Sequence, residues 1–334
     1  MKLIDAHCHF LPDIYVKALK KYDRINEDGF PIPDWSYDMQ MEYMEKAGIS
    51  HAVLSLSTPH PYFGDDSFSA QLCRAINEFA ADIGKKAPEK FSFAACLPLP
   101  NVELAIQEAA YSLHTLGACG VKLASQSQGL YLGDPALDPL MEYLDQEKTA
   151  VIIHPSKPQA VPEGCFTSKP LPLLEFITDT TRAVINLIAN GTLERYPNVK
   201  VLVPHCGSFL PNLIDRLTGI TSLFAQKGLG RQVHVEKSLP SLYFDIAGDA
   251  FPRGIAILST LADEDHILFG GDFPYTPAPM ICSKIRDMEQ CASISSCLDK
   301  ITCKNAEKLF GLSDRKSTRL NSSHEIPSRM PSSA

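Results

Sequence analysis

MKLIDAHCHF, residues 1–10, begins with an apolar strand start at Leu3 and Ile4 and sets two imidazoles one residue apart, at His7 and His9. In a β-strand residues i and i+2 share a face, so both rings can converge on one ion. Histidine is the commonest metal ligand near neutral pH, and a pair on a strand end costs little entropy to organise. On its own, His-x-His fits two polar strand-end side chains equally well. The rest of the chain decides between the two readings.

Downstream, an apolar run, a turn and a helix-like run alternate as far as Leu312. The runs fall at residues 2–7, 51–57, 91–97, 119–124, 149–154, 199–204, 241–246 and 266–271. Helical periodicity lies between them, over Asp66–Ile83, Val102–Leu116, Leu137–Gln146, Leu174–Asn190 and Gly254–Leu261. Alternating strands and helices imply a parallel sheet with right-handed crossovers, and eight units predict a closed α/β (β/α)8 TIM barrel as a single domain over residues 1–312. Turn chemistry supports these boundaries. Ser36 precedes Tyr37, Met41 and Met44 at helical spacing, and Gly48 stands where a helix would end. Residues 12–35, with Gly29-Phe30-Pro31-Ile32-Pro33-Asp34-Trp35, are too long for an ordinary barrel loop and read as an insertion that lids the pocket or, equally, as a packed surface loop.

A formal charge of −8 argues against a nucleic-acid groove, and no apolar run is long enough to span a bilayer. The first strand begins without an export signal, so a cytoplasmic protein is expected. Ten cysteines lack CxxC spacing and read as small buried hydrophobes. Residues 313–334, with seven serines and no apolar periodicity, read as a disordered tail of non-native, adapter-derived sequence. That tail, His324 included, is set apart from function. Its four Lys/Arg against two Asp/Glu leave the body at −10.

Three more strand ends carry polar residues. Ala150–His154 ends in His154, Val199–Pro204 runs into His205, and Ile267–Gly271 runs into Asp272. In a barrel the carboxyl ends of the strands form the catalytic face. Three or four imidazoles with a carboxylate suit Zn²⁺ and tolerate Mn²⁺, Fe²⁺ or Co²⁺. The glycines after His205 and before Asp272 allow close backbone approach in a crowded site.

These motifs resemble a known family. DAHCHF (5–10), IIHPS (152–156), PHCGSFLPNLIDR (204–216) and LFGGDFP (268–274) are similar to the amidohydrolase superfamily branch of aminocarboxymuconate-semialdehyde, γ-resorcylate and 6-methylsalicylate decarboxylases. PDWS (33–36), LSLSTP (54–59), LPLP (97–100), GDP (133–135), LEFITDTTRAV (174–184) and GTLERYP (191–197) look closest to the last of these. The resemblance implies that His7, His9, His154 and Asp272 hold one divalent metal per chain, with zinc first and manganese second. It makes His205 an acid/base residue beside the metal. Arg216 would bind the substrate carboxylate across a homodimer interface, because eleven helical residues rise roughly 16 Å and carry it away from its own barrel mouth.

Lys122 sits near the place where binuclear members carry a carboxylated bridging lysine. The single-metal branch lacks that lysine, so Lys122 is expected to stay unmodified and to place substrate or pair with an acid. His60 is expected to touch substrate. Phe10, Trp35, Phe63 and Phe176 are candidate ring walls, while His51, His114, His234 and His266 are expected to be structural. The activity implied is decarboxylation of a small aromatic carboxylate, an ortho-hydroxybenzoate such as 6-methylsalicylate, with Asp272 or His205 protonating the ring. Two other readings remain: a lactone or amide hydrolase with the same ligands, and a metal-binding scaffold without turnover.

Overall fold

Eight parallel strands pair in sequence order: β1 (Ile4–Phe10), β2 (His51–Leu56), β3 (Phe91–Cys96), β4 (Gly120–Ala124), β5 (Ala150–His154), β6 (Lys200–Val203), β7 (Leu242–Asp245) and β8 (Ile267–Leu268). The structure, a computed structural model, describes residues 2–162, 164 and 169–312. The chain after β8 closes the ring onto β1, where Ala6 N–H donates to the Phe269 carbonyl (3.0 Å) and His9 N–H to that of Phe273 (2.8 Å). This is the expected (β/α)8 barrel. The expected tail, residues 313–334, lies outside the described residues.

The longer helices are α1 (Asp13–Lys21), α2 (Tyr37–Ala47), α3 (Asp66–Lys86), α4 (Val102–Tyr111), α5 (Asp138–Gln146), α6 (Glu175–Ala189), α7 (Leu210–Gln226), α8 (Arg253–Leu258) and α9 (Ala278–Gln290). Their ends follow local chemistry. Ser36 Oγ accepts from Met39 N–H at 3.2 Å to start α2, and Gly48 ends it at φ 68°. The helix expected over Val102–Leu116 divides, because α4 stops at Tyr111 and a π-turn over Ser112–Leu116 leads to Gly117. Among the described residues no helix is long and apolar enough to cross a membrane.

Two apolar layers fix the barrel. Ile4, Ala6, Val53, Ala94, Ile152, Leu202, Tyr243 and Leu268 fill its floor, which is covered from below by Ala306, Phe310 and Leu312. The opposite faces of the strands, among them Leu54, Phe93, Val121, Ile153, Val203 and Phe244, pack under the surrounding helices. Each such side chain contributes about 1.5–3 kcal/mol by leaving water. Above the floor the inward positions turn polar: Ile152 gives way to His154, and Tyr243 to Asp245.

On β1 this alternation alone would point Ala6, Cys8 and Phe10 inward and turn both histidines outward. A β-bulge prevents that. Asp5 pairs with Ala52, and the next pairing joins Cys8 to Leu54, so β1 holds one residue more than β2 across this step. Ile4 and Ala6 therefore fill the floor, and His7 and His9 still face the barrel axis.

Candidate active site

Four side chains converge at the carboxyl end of the strands. His7 Nε2 lies 3.1 Å from His9 Nε2, and Asp272 Oδ1 lies 3.1 Å from His9 Nε2 and 3.4 Å from His7 Nε2. His154 completes the group, with ligand atoms of His7, His9 and His154 all within 4.8 Å of one another. The outer nitrogen of each ring is held: His7 Nδ1 by Asp245 Oδ2 (2.9 Å), His9 Nδ1 by the Ser55 carbonyl (3.2 Å) and His154 Nδ1 by the Pro155 carbonyl (2.8 Å). Orientation by such partners turns each Nε2 toward the centre of the group, where that of His154 also lies 3.3 Å from Ser57 Oγ. Donor atoms of a tetrahedral Zn²⁺ site with ~2.0 Å bonds stand roughly 3.3 Å apart; the spacing among His7, His9 and Asp272 suits that arrangement, and His154 stands within 4.8 Å of the other two histidines.

Titration behaviour agrees with a cation site. Burial pushes the His9, His154 and His205 imidazoles below their usual pKa, with help from neighbouring histidines, so all three are held neutral, the form that binds metal. Burial also opposes charge on His7, but Asp245 and Asp272 outweigh it and raise its pKa well above the ordinary value. A proton and a metal ion would compete for that Nε2. Burial disfavours ionised Asp272, yet His7 and His9 keep its carboxyl well below the carboxylate range.

His205 sits in an unusual turn. Residues His205, Cys206, Gly207 and Ser208 all have positive φ, between 54° and 74°, and Asp272 has φ 63°. Non-glycine residues in this region cost about 1–3 kcal/mol each. Backbone bonds hold them there: His205 N–H donates to Asp245 Oδ1 (3.0 Å) and Asp272 N–H to the His7 carbonyl (2.7 Å). The His205 ring is thereby brought within 5.2 Å of the His7 ring, centre to centre. Two glycines make room. A Cβ on Gly270 would lie 2.7 Å from His7 Cβ, and one on Gly271 2.3 Å from the Tyr43 hydroxyl.

Asp5 fastens this corner. Its carboxylate accepts from the N–H groups of His7 (3.1 Å) and Gly271 (2.8 Å) and from the Tyr43 hydroxyl (2.7 Å). Burial raises its pKa to about 6 against those donors.

Over the metal-ligand group lies a cavity of about 550 Å³. Phe30, Ile32, Pro172, Leu173, Phe176 and Tyr275 supply apolar wall, and His154, His205 and Asp272 line it as well. Residues 12–35 thus reach over the site through Asp28, Phe30 and Ile32, as the lid reading expects. The loop after β2 forms another wall, and four successive carbonyls in it are pinned by side chains. Ser57 accepts from Lys122 Nζ (3.1 Å), Thr58 from Tyr275 (3.2 Å), Pro59 from Tyr15 (2.6 Å) and His60 from Arg24 (3.2 Å). Among the described lining residues there are three carboxylates, Asp28, Asp249 and Asp272, and no lysine or arginine.

Several expected contacts fall elsewhere. Phe10 lies beyond the bulge with its ring on the outer face of β1, against Trp35 and Phe79, both 6.3 Å away. Trp35 donates from Nε1 to Gln40 and also stays outside the cavity. Phe63 stacks on Tyr22 at 4.6 Å, over a separate cleft. His60 is buried behind the wall, where its Nε2 donates to the Leu99 carbonyl (2.8 Å), and burial with nearby Lys122 lowers its pKa to about 3. Lys122 neither lines the cavity nor has an acid within 4 Å among the described residues. Arg216 is exposed on α7 and does not line the cavity of its own chain. Sequence reasoning passed over Asp245, although Leu242–Asp245 is another apolar strand ending in a carboxylate. It also missed Asp5, Asp28 and Tyr275, whose roles depend on tertiary neighbours.

The barrel with its inward His-x-His, strand-five histidine and strand-eight aspartate defines a class. A family model described as amidohydrolase matches residues 4–312, and the chain belongs to that family. Within it the chain stands in the branch resembling aminocarboxymuconate-semialdehyde decarboxylase and is a carboxy-lyase. It is 32% identical over 284 residues to a 6-methylsalicylic acid decarboxylase of Penicillium expansum, covering 83% of this chain and 86% of that one. A crystal structure of amidohydrolase II, a structural genomics target, superposes with a TM-score of 0.87 at 34% identity, covering 93% of this chain and 100% of the other. A 5-carboxyvanillate decarboxylase from Novosphingobium aromaticivorans, complexed with manganese and a nitrobenzoic acid, shares the fold at 20% identity with a TM-score of 0.81, covering 93% and 96%.

Proposed function

We propose that this enzyme carries out metal-dependent, non-oxidative decarboxylation of a small aromatic carboxylic acid, an ortho-hydroxybenzoate such as 6-methylsalicylate, releasing CO2. The observation that carries the reading is the His7–His9–His154–Asp272 group at the base of an apolar-walled cavity. The relative from Penicillium expansum supports the choice of acid. A bound divalent ion supplies positive charge that attracts and orients the carboxylate and its neighbouring hydroxyl. Zn²⁺ suits the three imidazoles, and Mn²⁺ is the alternative that the carboxyvanillate decarboxylase structure suggests.

Direct loss of CO2 from an aryl carboxylate would leave a ring carbanion, so the ring carbon must be protonated first. His205 is held neutral and Asp272 ionised, so the proton comes from water or the substrate hydroxyl, and these two groups bordering the cavity can relay it. His205 Nδ1 has no hydrogen-bond partner among the described residues, and Asp272 Oδ2 accepts only a long bond from Thr276, at 3.4 Å. We assign proton delivery to this pair. Phe176, Phe30 and Tyr275 exclude water and hold the ring face. Among the described residues the cavity lining carries three carboxylates and no lysine or arginine, which leaves any cation beyond the metal to come from elsewhere. Arg216 of a second copy in a homodimer supplies one, and a soluble cytoplasmic enzyme is part of the same reading.

The test is CO2 release from a panel of hydroxybenzoates, with metal content measured. Release that ceases on chelation, returns with Zn²⁺ or Mn²⁺ and is abolished in Asp272→Asn is expected. One metal per chain without CO2 from any acid would overturn the decarboxylase reading and favour a hydrolase. Absence of bound metal in protein supplied with Zn²⁺ and Mn²⁺ would overturn the site itself.

A further inference from the structure

The cavity has a second polar pole that the reaction above does not use. Asp28, from the insertion between β1 and α2, is only 4% exposed, and its Oδ1 has no hydrogen-bond partner among the described residues. No cation lies within 4 Å of it in the described structure. Thr58, also 4% exposed, sets its hydroxyl beside that carboxylate without closing a hydrogen bond of normal geometry among the described residues, and both residues line the cavity. A buried polar atom without a partner costs free energy comparable to a lost hydrogen bond, and an ionised carboxylate costs more. Such atoms inside a binding cavity are made good by water or by the ligand that displaces it.

The pole is built rather than incidental. The Asp28 carbonyl accepts from Leu171 N–H at 3.0 Å, which ties the insertion to the loop carrying Pro172 and Leu173. The Thr58 carbonyl is held by the Tyr275 hydroxyl, and the Tyr275 ring stands 5.7 Å from that of His9. A ring held at the metal group and flanked by Tyr275 therefore has the Asp28–Thr58 pair available to its substituents.

We propose that Asp28, with Thr58, selects substrates whose ring carries a further hydrogen-bond donor, a second hydroxyl or an amino group beyond the hydroxyl ortho to the carboxylate. A methyl group at that place leaves Oδ1 unpaired, and a second carboxylate meets like charge. This rests on the decarboxylase reading and narrows it: a dihydroxy or amino-hydroxy acid is preferred over 6-methylsalicylate itself.

Salicylates carrying hydroxyl, methyl or carboxyl at each remaining ring position separate these cases, with dissociation constants from calorimetry and kcat/KM from CO2 release. At one ring position the hydroxyl acid should bind the metal-loaded enzyme at least about 10-fold more tightly than its methyl counterpart, and the carboxyl acid most weakly. In Asp28→Ala the hydroxyl-to-methyl ratio should fall to about one, and Asp28→Asn, which keeps an acceptor oxygen, should restore part of it. Melting curves and metal content identify a misfolded variant, for which Thr58→Val, expected to lower the same ratio, provides the second test. A wild-type ratio of one or less at every position, or variants weakening all acids equally, would overturn the proposal while CO2 release from salicylates still stands. If no aromatic acid binds or releases CO2, the decarboxylase reading falls, and this proposal with it.

Discussion

Asp245 Oδ2 lies 2.9 Å from His7 Nδ1, and both side chains are buried to within 1% of full coverage. The other oxygen of that carboxylate accepts from the N–H of His205 and of Ala247, each at 3.0 Å. One residue on β7 therefore orients a metal ligand on β1 and fixes the turn that presents His205.

Replacing Asp245 with asparagine keeps the shape and removes the charge that opposes His7. Metal affinity should fall about 10–100-fold, as when such supporting partners are lost elsewhere. Competition with a chelator of known affinity measures it. Affinity equal to that of wild type would show that His7 needs no such partner.

The legible part of this fold was periodic. Apolar runs of five or six residues ending in His154, His205 or Asp272 announced strands with their active ends, because period-two alternation and the barrel's polarity are local rules. The bulge in β1 was hidden, since one additional residue at Ala6–His7 leaves no mark in composition. Phe10 directly follows an inward-facing His9, so alternation turns its ring to the outer face, against Trp35 and Phe79. His60 looked like a mouth residue from its place after β2, but the loop folds back so that its ring is buried against the Leu99 carbonyl. Asp28 lies in a stretch without periodicity, and its burial arises from contacts with segments far along the chain.

Arg216 gives a prediction about assembly. It is exposed on α7, and Leu223 and Phe224 on the same helix are 45% and 43% exposed, apolar surface that a second copy would cover. If Arg216 serves the partner's cavity, Arg216→Ala should raise KM for aromatic acids with metal content unchanged. Mixing Arg216→Ala chains with inactive Asp272→Asn chains, unfolded and refolded together and assayed at substrate far below the raised KM, should restore about a quarter of wild-type activity, because heterodimers hold one intact composite site. Persistent inactivity in heterodimers confirmed by mass would assign Arg216 to its own chain or to the surface.

Lys122 gives a prediction about stability. It is 2% exposed inside the barrel, its Nζ donates to the Ser57 carbonyl, and burial lowers its pKa from 10.5 to about 8. Between those values the unfolded chain holds the proton that the folded chain has released, so this group makes stability rise with pH over that window. Below about pH 8 both states are charged, and the full cost of burying the ammonium applies, about 3 kcal/mol at roughly 1.4 kcal/mol per pKa unit. Lys122→Met removes that cost and gives up one hydrogen bond of about 1 kcal/mol. The variant should be the more stable at pH 7 by about 2 kcal/mol, with its advantage lost before pH 10.5 and reversed by about 1 kcal/mol above it, where only the missing hydrogen bond counts. Urea unfolding across pH 7–10.5 reads this directly. Parallel curves for the two proteins would mean that Lys122 does not titrate in this range, as for a lysine carrying a carboxylate on Nζ, which intact mass and a bicarbonate-dependent change in stability would then reveal.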